Sequence, residues 1–164
     1  MLIFILIILG IFSRVLTHTP QFTSILAVAF FAGLYLRGWQ AVIVPLSLMI
    51  ISDLILGFHD TMFYTYGAMI LISGLGLWLK SRKSFVTVLG GSIASALIFF
   101  VVTNLGAWPT LYPMTFDGLR ECFVMAIPFF RSTLVSTVAY SLVLYAGYEW
   151  MLKRSQGTAL ARLF

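Results

Sequence analysis

"FVTVLGGSIASALIFFVVTN", residues 85–104, runs through twenty residues without one charged side chain. A hydrocarbon core of ~30 Å takes about 20 apolar residues in a helix, so this stretch reads as a membrane span. Lys80, Arg82 and Lys83 stand just before it, and the polar, proline-bearing words "AWP" and "LYP" follow. The whole chain agrees with that reading. Its 164 residues are 61% hydrophobic and 9% charged, and its mean hydropathy is +1.05. A soluble domain carries about 25% charged residues. With so few, lipid must cover the surface, and the expectation is an all-α integral membrane protein formed of a single transmembrane domain over 1–164.

Six segments have the composition of spans: 2–16, 23–36, 40–56, 63–79, 85–104 and 122–151. The polar words between them are short, as for antiparallel neighbours in a compact bundle of six short transmembrane helices. The longest, "AWPTLYPMTFDGLRE" at 107–121, reads as a loop, and Pro128 is expected to kink or break the last span near its start. Residues 2–13, "LIFILIILGIFS", lack the basic start and the small-x-small cleavage site of a signal peptide, so a retained first span is expected.

Charge sets the orientation. With the N-terminus inside, the inner side holds Arg37, Lys80, Arg82, Lys83, Lys153, Arg154 and Arg162, and the outer side only Arg14, Arg120 and Arg131. That excess of inner Lys and Arg places both termini in the cytoplasm. The net charge of +5 is not gathered into a basic tract, which removes nucleic acid as a partner. Cys122 is the single cysteine, so no intrachain disulfide or CxxC site can form. There is no GxxxxGK[ST] loop with which the chain would energise itself from ATP. No internal repeat is visible, which argues against an inverted-repeat transporter.

Polar residues gather toward the outer ends of the spans: Arg14, His18, Asp53, His59, Asp60, Asn104, and then Trp108, Tyr112, Asp117, Arg120, Glu121 and Arg131. Arg14, Asp53 and Arg131 sit within or beside apolar runs, where an ionised side chain costs about 3 kcal/mol on insertion scales. Each is therefore expected to face the interior, with Asp53 paired to Arg14 or Arg131. Such a pair is either a structural tie between helices or the floor of an outward-facing pocket, and the two readings are compatible. Two basic groups around one acidic group would leave positive charge for an anionic ligand.

Trp39 is read as a membrane-interface aromatic. Trp108 and Tyr112 are either the same or, stiffened by Pro109 and Pro113 and beside the amide of Asn104, a wall for a flat heterocyclic ligand. The ligand-binding set expected from sequence is thus Arg14, Asp53, His59, Asn104, Trp108, Tyr112, Arg120, Glu121 and Arg131. No metal is expected, because His59-Asp60 has no recognised ligand spacing. Cys122 reads as a small core hydrophobe. No cofactor is implied, and no Ser/His/Asp, HExxH or paired-carboxylate pattern supports an enzyme. Small residues at helical spacing, Ala29 with Gly33 and Ser92 with Ala96, mark close helix contacts, either inside the bundle or with a partner helix.

Six short spans, inner termini, no ATPase and an outer polar cluster together resemble the substrate-binding S components of energy-coupling-factor (ECF) vitamin transporters. The words "PLSLMIISDLILG", "TNLGAW" and "AIPFFRSTL" look like those of a bacterial membrane family grouped near them. The resemblance runs from about Arg14 to Tyr148. It implies a multi-pass protein of the bacterial inner membrane that captures a vitamin-like small molecule under its outer loops. The implied partner is a T component with its ATPases, or none if the protein acts alone. One departure is plain: the first span lacks the Ala-x-x-x-Ala motif on which S components dock. Solitary cobalamin-transporting relatives use a cysteine at their ligand, but Cys122 falls in a different loop. The nickel and cobalt members begin Met-His, whereas Leu2 follows Met1 here. The competing expectation is a membrane scaffold or assembly protein held by a structural ion-pair cluster.

Overall fold

The helix α1 (Ile25–Tyr35) reads "ILAVAFFAGLY" and has no polar side to turn toward solvent. A helix apolar on every face belongs in an interior, and every residue from Ile25 to Leu34 is buried. α1 is the hub of the fold. In this computed structural model, which describes residues 6–8, 10, 11, 13, 23–57 and 60–155, it packs against all four other helices: α2 (Gln40–Leu56), α3 (Met62–Leu79), α4 (Phe85–Leu111) and α5 (Phe116–Ser155). A short 3-10 turn, η1 (Lys80–Arg82), closes α3. Residues 6–8, 10, 11 and 13 are helical as well. There is no strand among the described residues.

Successive helices reverse direction through short links, giving the bundle two ends. One carries the α2–α3 and α4–α5 connections; the other carries α1–α2 and α3–α4. α3 with η1, α4 and α5 are each long and apolar enough to cross a membrane. α1 has 11 residues and is about 16 Å long, half a hydrocarbon core, so it does not reach across one. α2 has 17 residues and is likewise on the short side. Outward faces of α4 and α5 expose large apolar side chains such as Leu97, Val101, Val124 and Val135. That is the surface of a membrane protein, with lipid in the place of water.

Glycine decides one crossing. A Cβ on Gly33 of α1 would lie 2.3 Å from the Ser73 carbonyl oxygen and 2.8 Å from Gly76 Cα of α3. The backbones therefore touch there, as small residues allow in membrane bundles. The expected close-packing residues Ala29, Gly33, Ser92 and Ala96 are all buried inside this chain. Gly33 meets α3, and Gly91, beside Ser92, meets the Phe30 ring of α1. Their contacts are made within the bundle and not with a partner helix. α2 ends at Gly57, whose φ of 98° is one that side-chain-bearing residues rarely adopt.

Two expectations about the later helices are corrected. The stretch 107–121 is mostly helix: α4 continues through Pro109 to Leu111, α5 starts at Phe116, and only Tyr112–Thr115 connect them. Thr115 caps α5 by accepting from the Gly118 N–H at 3.1 Å. Of the kink or break expected at Pro128, the break is not seen: α5 runs 40 residues through it, about 60 Å. A proline removes one backbone bond, and in a bundle its neighbours hold the helix across that gap.

At the α1–α2/α3–α4 end, aromatics and charges tie α1 to α5. Phe31, Tyr35 and Tyr148 form a cluster with centroids 4.3–5.7 Å apart. The Tyr35 hydroxyl donates to Glu149 at 3.3 Å, and Lys83 Nζ lies 4.2 Å from the Tyr35 ring centroid. Lys80 Nζ donates to the Leu36 carbonyl, which the end of α1 leaves without a helical partner. Burial first, and Lys80 second, hold the Lys83 ammonium below its usual pKa, with Glu149 working against them.

Candidate functional site

The polar residues singled out from sequence do not form one cluster. Asp53, one turn from the end of α2, is fully buried and accepts a hydrogen bond of 2.7 Å from the Tyr66 hydroxyl of α3. Arg131 is exposed on α5. Of the two expected pairings, Asp53–Arg14 falls outside the described residues and Asp53–Arg131 is not made, for which the topology gives the reason. α2 packs on α1 and α3 while α5 packs on α1 and α4, so the two helices flank the hub from different sides. Arg14, His18 and His59 lie outside the described residues. Asp60, Asp117, Arg120 and Glu121 are exposed around the same end of the bundle.

The Ser24 backbone N–H at the start of α1 donates to Ser13 Oγ at 3.1 Å, and the two serine hydroxyls are 2.7 Å apart. Ser13 thus supplies the acceptor that the N-terminus of α1 needs. Ser24, Ser52 and Asp53 are each fully buried.

A cleft lined wholly by described residues lies between α4 and α5. Its space of about 180 Å³ is bounded by two helical stripes. α4 contributes Phe99, Phe100, Thr103, Asn104 and Ala107, spaced three or four apart so that they share a face. α5 contributes Ala126, Phe129, Phe130 and Thr133 at the same spacing, and Thr61, just before α3, borders one end. The two walls carry the same five-residue word. "FFVVT" at 99–103 and "FFRST" at 129–133 both read Phe-Phe-x-x-Thr, and because the helices are antiparallel the words face each other head to tail. Phe100 sits at the centre, 4.7 Å from the Phe130 ring and 5.4 Å from Phe123.

The polar groups of the cleft are held by their own helices. Thr103 Oγ1 donates to the Phe99 carbonyl at 2.8 Å and Thr133 Oγ1 to the Phe129 carbonyl at 3.0 Å. Asn104 Nδ2 donates to the Phe100 carbonyl at 2.7 Å. The Cys122 thiol points at Asn104, 3.5 Å from its carbonyl oxygen and 3.7 Å from Oδ1. Cys122 is buried, in keeping with its reading as a small core residue. No described residue lining the cleft is acidic, basic or a histidine, and no group of metal-ligating side chains is gathered among the described residues.

Of the expected ligand-binding residues, then, Asn104 borders the cleft. Trp108 does not; its indole N–H donates to the Pro113 carbonyl at 2.9 Å and braces the α4–α5 turn. Tyr112 ends α4 and is half-buried there. The phenylalanines and threonines were missed because apolar and weakly polar residues in a span read as lipid-facing or core. The repeated Phe-Phe-x-x-Thr word was the available signal, too short to register as an internal repeat.

Over residues 1–160 the chain matches the family of unknown function DUF6580, and it belongs to that family. No curated protein matches it, and no solved structure does.

Proposed function

We propose that this member of the DUF6580 family is a substrate-binding and translocating membrane subunit for uptake of a vitamin-like small molecule, similar to the S components of ECF transporters. The observation that carries this reading is the α4–α5 cleft, a concave site with aromatic walls and a few convergent polar groups. In the proposed architecture six helices form one bundle in the bacterial inner membrane, with α1 buried as a partial span. Both termini are cytoplasmic, because Arg37, Lys80, Arg82, Lys83, Lys153 and Arg154 then lie on the inner side. The cleft is then nearer the outer side, bordered by Thr61 of the α2–α3 link. Asp53 with Tyr66 is a structural tie in this scheme, and ligand capture falls to the α4–α5 flank.

The energising partner is a T component with its ATPases, or none if the protein acts alone. The test is to purify the protein, extract it and identify any bound compound by mass spectrometry, alongside a thermal-shift panel of vitamins. A reproducible bound compound that raises the melting temperature on re-addition is expected. Repeated absence of any compound and of any shift would favour a scaffold instead.

A further inference from the structure

We propose that the cleft selects an uncharged, flat, single-ring molecule carrying hydrogen-bond donors at two opposite ends. This rests on the reading that the α4–α5 cleft is the capture site, and it names the chemistry captured.

Size comes first. The cleft's 180 Å³ equals the bulk volume of about six waters. Pockets for drug-sized ligands start at roughly 300 Å³, so a single ring matches the space between the walls. Shape follows from the walls, where phenylalanine pairs from both helices present aromatic surface around the middle of the cleft. A flat ring can stack or meet them edge-on there.

Hydrogen-bond accounting gives the rest. A threonine hydroxyl has one proton and two lone pairs. Thr103 and Thr133 each give that proton to their own helix, so toward the cleft they can act only as acceptors. A ligand that meets either threonine hydroxyl there must supply the donor, while the second N–H of Asn104 is a protein donor at the Thr103 end. The antiparallel words put the two hydroxyls at opposite ends: each lies three residues past its central phenylalanine, on helices running in opposite directions. With Phe100 between Phe123 and Phe130 and Cys122 against Asn104, Thr103 is level with Phe123 near the start of α5, and Thr133 lies ~14 Å farther along the axis at ~1.5 Å per residue. Thr103 has Asn104 and Thr61 for company, whereas Thr133, buried, stands alone as the polar group at the far end. Charge is disfavoured because no described lining residue would balance it, and an uncompensated ion in such a site is costly.

The experiment uses the full chain in phosphatidylcholine nanodiscs and four probes on one ring. They are 1,4-benzenedimethanol with two donors, benzyl alcohol with one, p-xylene with none, and 4-(hydroxymethyl)benzoate as the anion. Binding is read by saturation-transfer NMR and titration, with Ala107→Phe, which fills the cleft, as the blank for partition into lipid. The diol is expected to bind at least tenfold more tightly than each of the other three. Thr133→Val should erase its advantage over benzyl alcohol, and Thr133→Ser, which keeps the hydroxyl, should retain it. Equal binding of diol and mono-alcohol, tighter binding of the benzoate, no binding of the diol, or an unchanged preference in Thr133→Val would overturn the proposal. The two layers separate cleanly. A charged compound extracted from the protein and excluded by Ala107→Phe defeats the ligand class and leaves capture standing. An extracted compound that Ala107→Phe retains defeats both.

Discussion

Where α1 crosses α3, Gly33 and Gly76 bring the backbones into contact, with no room for even a methyl group. Where α4 crosses α5, Phe100 meets Phe130 across a 4.7 Å centroid distance, and a cleft of about 180 Å³ remains beside the rings. Both crossings are built from apolar sequence. Between helices in lipid there is little hydrophobic drive, so contact quality decides association. Small residues give a backbone-to-backbone strut at the first crossing, whereas phenylalanine rings make the contact at the second and a cleft lies beside them. Residue size at the crossing thus sets the α1–α3 contact, which holds the fold, apart from the α4–α5 contact, where the proposed ligand site lies. The buried carboxylate is apart from the cleft lining: Asp53 is held by Tyr66 of α3 and neither residue borders the cleft.

The strongest challenge to this division is Gly33→Leu. Its Cβ would meet the Ser73 carbonyl oxygen at 2.3 Å, and backbone cannot step aside as a side chain can. A loss of about 3 kcal/mol or more is expected, at or beyond the upper range for overpacking, read as unfolding in a detergent titration. Tolerance within about 1 kcal/mol would mean that the crossing is not a strut.

Next in size is the Asp53–Tyr66 tie. Tyr66→Phe removes a buried donor to a carboxyl group, at a cost of about 1–3 kcal/mol. Exchanging the charges in the double variant Asp53→Arg with Arg131→Asp should bring no recovery over Asp53→Arg alone, because the two positions flank α1 from different sides. Restored stability would reinstate the pair expected from sequence.

That expectation shows where sequence reading stops. The apolar runs at 23–36, 40–56 and 63–79 match α1, α2 and α3 to within a few residues. The later helices were under-read because loss of hydropathy is not loss of helix. Thr103, Asn104 and Thr110 each bond back to a carbonyl of their own helix, so α4 carries polar side chains to Leu111 without fraying. A membrane helix can satisfy such groups internally, and hydropathy does not register that. Which helices neighbour one another is not written in any single segment, and so Asp53 and Arg131 could be paired on paper across the width of the hub. The cleft was hidden for a related reason: its walls are phenylalanine and threonine, the residue types least distinguishable from ordinary span sequence. Asn104, the most polar of them, was the one recognised.

A smaller effect is expected at the turn between α4 and α5. Trp108→Phe deletes the indole bond to the Pro113 carbonyl, worth about 0.5–1.5 kcal/mol, and should leave ligand affinity within twofold. A tenfold loss of affinity with the fold intact would return Trp108 to the binding wall.

The smallest effect on stability is expected from the change that matters most for function. Ala107→Phe places a ring in existing space at the border of the cleft, so the melting temperature of the ligand-free protein should hardly move. Extracting wild type and Ala107→Phe side by side, with mass spectrometry of whatever each releases, is the most direct test of the division into strut and site. A compound released by wild type and missing from the equally folded variant is the predicted result. The same compound in equal amount from both would contradict it.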